Sequence, residues 1–133
     1  MKIAFVSTQN AVRSIMAESI AKKLSRLALI SPEVYSAGVK PTDNIPEEVI
    51  ELLKEREYPV ENLRPKGLAD IPYEDLHILI TLSSEARDGC PYSERHMRRE
   101  HWVLEECHIP RREELIKLLE QVENLIRGLF KIS

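Results

Sequence analysis

The chain has 133 residues, 43% of them hydrophobic and 31% charged, and a formal net charge of −3. That length can bury a core in one domain, and the composition excludes disordered and collagenous chains. The weakly acidic balance leaves no electrostatic footprint for nucleic acid, and no apolar run approaches the ~20 residues of a membrane span. Met1 and Lys2 are followed only by the short run Ile3–Val6, too little for a signal-peptide core, so a cytoplasmic location is expected. Cys90 and Cys107 make neither a disulfide scaffold nor a C-x-x-C zinc pair. No spacing of His, Cys, Asp and Glu suggests a metal, and no cofactor is expected. The basic stretch Arg95-His96-Met97-Arg98-Arg99 is most simply a solvated face.

Ile3-Ala4-Phe5-Val6 is an unbroken apolar run of strand formers, the pattern of a central strand buried on both faces. It stops at the polar residues Ser7 to Asn10. From about Arg13 the spacing becomes helical, with Ile15, Met16, Ile20, Leu24 and Leu27 on one stripe. Val34-Tyr35-Ser36 predicts a second strand closed by Ala37-Gly38. Asn44 is a natural cap for a second helix, with Pro46, Glu47 and Glu48 suited to its first turn and Val49, Ile50, Leu52 and Leu53 on its apolar face. His77–Leu82 predicts a third strand, followed by a polar loop. His101-Trp102-Val103-Leu104 predicts a fourth. After Pro110 a long helix carries Leu115, Leu118, Leu119, Val122, Leu125, Ile126 and Leu129 on one stripe. His77 reads as a surface or edge histidine, and Trp102 as core or rim packing.

Strands alternating with helices imply a mostly parallel sheet covered on both faces. The expectation is an α/β, three-layer domain over residues 1–133, with a four-stranded parallel sheet and helices on both sides, existing as a monomer. In such sheets ligands bind beyond the carboxyl ends of the strands, which directs attention to the loop after the first strand. Thr8, Gln9, Asn10, Ala11 and Val12 lead there from Ser7 into a helix start at Arg13-Ser14. The backbone N–H groups at such a start lack helical partners and the dipole end is positive, so the place suits an anion. Arg13 adds a guanidinium fork matched to two oxygens of a tetrahedral oxyanion. Asn10 tolerates the left-handed backbone that a loop curling around an anion needs. Ser14 is placed to hydrogen-bond whatever stands at position 7. Read as an ordinary loop instead, the segment would leave Arg13 at a helix start that disfavours a cation.

Ser7, five residues and Arg13-Ser14 resemble the phosphate-binding loop of the low-molecular-weight tyrosine phosphatases, which has a cysteine at the first position. Met16-Ala17-Glu18 and Val34–Gly38 are similar to the same family. Thr81–Ala86 through Cys90-Pro91, and Glu100–Glu106, resemble its thioredoxin-coupled arsenate reductase members. The resemblance implies a domain that takes phosphate, sulfate or arsenate at Thr8–Ser14 and, in the phosphatases, a phosphotyrosine protein as partner. It implies Ser7 at the nucleophile position, Arg13 as oxyanion ligand, and Glu106 where the family has its acid, with Glu105 as the other candidate. It also maps the reductases' second and third relay cysteines onto Ser83 and Cys90.

The departures bear on chemistry. A thiolate is available near neutral pH when a helix dipole and an arginine lower its pKa, whereas a serine hydroxyl gains far less from the same surroundings. No His or Lys lies in the loop to act as a base. With serine at 83 the thiol relay lacks its middle member. Glu106-Cys107 replaces the family's Asp-Pro, giving an acid one methylene longer without the proline's fixed φ. Cys107 itself reads as an incidental small apolar residue. Two readings remain open: a phosphatase-like or reductase-like enzyme scaffold whose nucleophile is replaced, and a natural pseudoenzyme that binds an oxyanion or a phosphoprotein.

Overall fold

The computed structural model describes residues 1–104 and 111–132. Strands β1 (Lys2–Ser7), β2 (Glu33–Gly38), β3 (Ile78–Thr81) and β4 (Arg98–His101) form one parallel sheet in the order β2-β1-β3-β4. Helices α1 (Arg13–Leu27), α2 (Glu47–Glu55), α3 (Ser84–Gly89) and α4 (Arg112–Phe130) connect and cover it. Short 3-10 turns at Leu68–Asp70 and Tyr73–Asp75 lead into β3. No described helix is long and apolar enough to cross a membrane.

The central position of β1 explains its unbroken apolar run, because successive side chains enter opposite layers. Ile3 and Phe5 pack with α1, α2 and α4, in a cluster that includes Ile15, Ile20, Leu53, Leu119 and Val122. Ala4 and Val6 face the other way, onto Ile71, Leu76, Leu79, Ala86 and Cys90. The sheet therefore lies between a thick layer of three helices and a thinner layer made by α3 and the 3-10 turns. Trp102 is buried, its ring centroid 5.8 Å from that of Phe5.

Four local expectations are corrected. The fourth strand is not His101–Leu104 but Arg98–His101, paired from Ile78↔Arg98 to Thr81↔His101. As an edge strand with Arg98 and Arg99 exposed, it is held by main-chain pairing and has no apolar signature. Trp102 and Leu104 are buried as the chain leaves the sheet toward the α1–α4 cluster. The polar loop after β3 is the helix α3, too short for a periodic signal, with Ser83 as its N-cap accepting a hydrogen bond from Ala86 N at 3.1 Å. Helix α2 starts after Pro46 rather than after Asn44, whose carbonyl accepts from Thr42 Oγ1 instead. Leu27, expected on the buried stripe, is 62% exposed because the last turn of α1 outruns the core.

The order of the sheet creates a crevice. From β1 the chain moves to β2 on one side, then crosses back to β3 on the other. The order reverses beside β1, and the carboxyl ends of β1 and β3 border the place where such sheets take ligands.

Candidate oxyanion site

The loop leaving β1 is shaped by its carbonyls. Those of Ser7, Thr8 and Gln9 accept from the N–H groups of Val39, Lys40 and Thr42 at 3.1, 2.8 and 3.1 Å. Across a planar trans peptide the next residue's N–H points the opposite way. The N–H groups of Thr8, Gln9 and Asn10 therefore turn toward the inside of the loop, and that of Asn10 reaches Ser7 Oγ at 3.2 Å. Asn10 sits in the left-handed region with φ 52°, which closes the curl. Helix α1 then starts at Arg13 without a side-chain cap, leaving its positive end open to the loop. Inward amides, a left-handed residue and a helix N-terminus make a nest for an anion.

The polar side chains of the loop are interlocked. Ser7 Oγ and Ser14 Oγ lie 2.6 Å apart, and Asn10 Nδ2 donates to Ser14 Oγ at 2.7 Å. Asn10 Oδ1 accepts from Lys66 N at 2.8 Å, which fixes the orientation of its amide. All three side chains are buried. With Ser14 already accepting from Asn10, its own proton is available to Ser7. The atom at position 7 then receives two hydrogen bonds, the arrangement that stabilises negative charge there. Sulfur would profit from it as a thiolate; a serine hydroxyl remains neutral.

The remaining residues group as follows. Gln9 is exposed, Thr8, Val12 and Arg13 are half-buried, and Ala11 is buried against the core. Arg13 Nη1 donates to the carbonyl of Leu82 at 3.2 Å, bridging the ends of β1 and β3. Thr8 Oγ1 donates to Ser83 Oγ at 2.9 Å, so position 83 touches the loop. Cys90 does not: it closes the far end of α3, buried in the thinner layer. Burial pushes its thiol pKa up, partly opposed by the nearby Arg99 guanidinium. Helical rise separates positions 83 and 90 by about 10 Å along α3. Glu105, Glu106 and Cys107 lie outside the described residues. Among the described residues no three His, Cys, Asp or Glu side chains group to hold a metal. The basic stretch lies on an exposed face, where its arginines pair within the chain: Arg95 with Asp75, Arg98 with Glu100, and Arg99 with the carbonyls of Cys90 and Pro91.

Sequence reasoning missed the supports of this loop. Gly38, opposite Ser7 in the β1–β2 ladder, admits the loop to close approach: a Cβ there would lie 2.8 Å from Thr8 O and 2.9 Å from Asn10 N. Lys66 holds Asn10 through its backbone N–H, while its carbonyl accepts from Gly38 N at 2.7 Å. Its side chain reaches the buried Glu18, as does Ser36. The one local signal was a glutamate and a serine in otherwise buried stretches of α1 and β2; nothing near residue 66 pointed to the loop.

Comparison with known proteins relates the chain and its fold to the following. An arsenate reductase of Staphylococcus xylosus is 31% identical over 104 residues, covering 78% of this chain and 76% of the relative. The thioredoxin-dependent arsenate reductase of Corynebacterium glutamicum superposes with a TM-score of 0.80 at 29% identity, over 98% of this chain. This chain spans only 60% of that protein's length. An arsenate reductase in its phosphate-binding state superposes with a TM-score of 0.78 at 25% identity, covering 99% of this chain and 98% of that one. The family model described as low molecular weight phosphotyrosine protein phosphatase matches residues 2–132, and the chain belongs to that family.

Proposed function

We propose that this chain is an oxyanion-binding domain that holds phosphate, sulfate or arsenate in the loop Ser7–Ser14 and, with a hydroxyl at position 7, does not turn it over. One observation carries the reading. Ser7 Oγ sits at the focus of Asn10 N and Ser14 Oγ, in a loop whose peptides turn their N–H groups inward. Those donors stabilise an anionic nucleophile and the equatorial oxygens of a transferring phosphoryl group. Within the loop itself, the nucleophile is what is unsuited to the place. The serine hydroxyl has an intrinsic pKa far above that of a thiol, and no base in the loop takes its proton.

In this reading the underlying chemistry is phosphate-monoester hydrolysis. A thiolate at position 7 would attack phosphorus, Arg13 would hold two equatorial oxygens, and Glu106 would protonate the leaving phenolate before water releases phosphate. A phosphotyrosine protein is the corresponding substrate class. As written, the chain stops at binding, which also suits a natural pseudoenzyme that sequesters an oxyanion or a phosphoprotein.

Arsenate reduction is the second reading, favoured by the names of its relatives and by the contact of Ser83 with Thr8 at the edge of the loop. A hydroxyl at 83 forms no disulfide, and Cys90 stands at the opposite end of α3. A relay through these positions would need both a thiol at 83 and the unwinding of α3.

Calorimetric titration with phosphate tests the binding claim. Arg13→Ala should weaken binding about ten- to a hundredfold, the loss of a charge-assisted bidentate contact of roughly 1.5–3 kcal/mol. Equal affinity in the two forms sinks the assignment of the loop. Ser7→Cys should turn on hydrolysis of p-nitrophenyl phosphate, whose good leaving group makes little demand on the acid. A Ser7→Cys variant that binds phosphate but stays inert would favour the pseudoenzyme.

A further inference from the structure

A buried ion pair lies one helical turn beyond the oxyanion loop. Glu18 is 4% exposed and follows Ser14 by four residues, on the same face of α1. Its Oε1 accepts from Ser36 Oγ and faces Lys66 Nζ at 3.4 Å, while Oε2 meets Lys22 Nζ at 2.6 Å. Lys66 Nζ also donates to the carbonyl of Arg64 at 2.7 Å and lies 3.4 Å from Ser36 Oγ. The Lys66 side chain is 11% exposed, so this is an ammonium largely withdrawn from water. Such a placement is costly unless the charge is paired, and removing one partner reduces the compensation of the buried charge that remains.

The backbone of the same residue reaches the loop. Lys66 N donates to Asn10 Oδ1, and Asn10 carries the left-handed turn and the hydrogen bond to Ser14. Lys66 is thus fixed at both ends: its ammonium to Glu18, Ser36 and Arg64, its amide to the loop. Without the Lys66 ammonium, Glu18 would keep Lys22 as its one counter-charge, more of its negative charge would reach the anion site, and the 64–67 segment would be left with its backbone bonds to Gly38 and Asn10.

We propose that Lys66 is a positioning residue for the oxyanion loop, whose ammonium shares the neutralisation of Glu18 with Lys22 and helps hold Asn10 in the conformation that turns the loop amides inward. The proposal rests on the reading of Ser7–Ser14 as the anion site. Lys66 touches no oxyanion itself; it acts through Asn10 and through the field of Glu18. Its charge is also sensitive to its surroundings. Burial lowers the Lys66 pKa, with Glu18 opposing and the positive charges of Arg64 and Lys22 reinforcing the fall. Anion binding should therefore weaken as pH rises into a range below the ordinary lysine value of about 10.4.

Sulfate, dianionic throughout, is the probe, titrated calorimetrically from about pH 7 to about pH 10. Lys66→Met should bind sulfate roughly tenfold more weakly at neutral pH, the scale of one charge-assisted hydrogen bond, and should lose the alkaline fall of the unmutated chain. Glu18→Gln combined with Lys66→Met removes both charges and should recover most of the affinity. Parental affinity in Lys66→Met, or an alkaline fall that persists in it, overturns the proposal. So does a double variant as weak as the single one, since packing rather than charge would then be responsible. If Lys66→Met does not fold, the unmutated chain still decides: sulfate affinity flat across the pH range overturns the proposal. Sulfate binding lost in Arg13→Ala but unchanged in Lys66→Met removes Lys66 alone. No sulfate binding in the unmutated chain removes the loop reading and this proposal together.

Discussion

Gly38→Ala isolates the support of the loop from its chemistry. The methyl carbon would stand 2.9 Å from Gln9 C, 2.9 Å from Asn10 N and 2.8 Å from Thr8 O. The first of these is roughly 0.6–1 Å inside the 3.5–4.0 Å optimum for two carbons. All three neighbours are backbone atoms, so no rotamer change relieves the overlap; the loop must move or the β1–β2 ladder must open. Overpacking of this kind costs about 1–3 kcal/mol of stability. A loop displaced by roughly half an ångström also carries its inward N–H groups off the positions an anion's oxygens would take, and Asn10 is displaced from Lys66 N. One or two weakened hydrogen bonds correspond to about 1–2 kcal/mol, or roughly five- to thirtyfold in affinity. Urea unfolding measures the first effect and phosphate titration of the folded variant the second. Gly38→Ala that unfolds 1–3 kcal/mol earlier, by that estimate, yet binds phosphate like its parent would refute the claim that Gly38 exists to admit this loop.

Three further outcomes are expected. Cys90, 5% exposed and with its thiol pKa raised by burial, should resist iodoacetamide in the native chain at mildly alkaline pH and react in urea; full native labelling of its peptide by mass spectrometry contradicts the placement. On the Ser7→Cys background, Glu106→Gln should slow esters of poor leaving groups far more than p-nitrophenyl phosphate, and equal slowing would remove Glu106 as the acid. The Ser7→Cys variant should release no arsenite with thioredoxin, because position 83 remains a serine; arsenite production would mean that another thiol had taken the middle role.

What the sequence determined by itself was local and periodic. The run Ile3–Val6 marked a strand buried on both faces, and the structure divides it between two clusters. A strand, a polar loop and a helix start were enough to mark the loop beyond the carboxyl end of β1 as the candidate anion site, because helix ends and loop amides act within a few residues. The preference of Asn10 for left-handed backbone belongs to the same short range. Elements without a periodic signature were misread: β4 is specified by its pairing with β3, and α3 is one short turn and a half behind its serine cap.

What only the tertiary structure decided is how the loop is held. Lys66 lies 56 residues from Asn10, Ser83 lies 75 from Thr8, and Gly38 meets Ser7 through strand register. None of these contacts has a periodicity or a turn chemistry to announce it. Whether a lysine is solvated or stands beside a buried glutamate depends on which segments the sheet order brings together. In this chain the reversal beside β1 gathers residues 7–14, 18, 36, 38 and 66 around one loop, and hydrogen bonds and close contacts act only once that approach has been made.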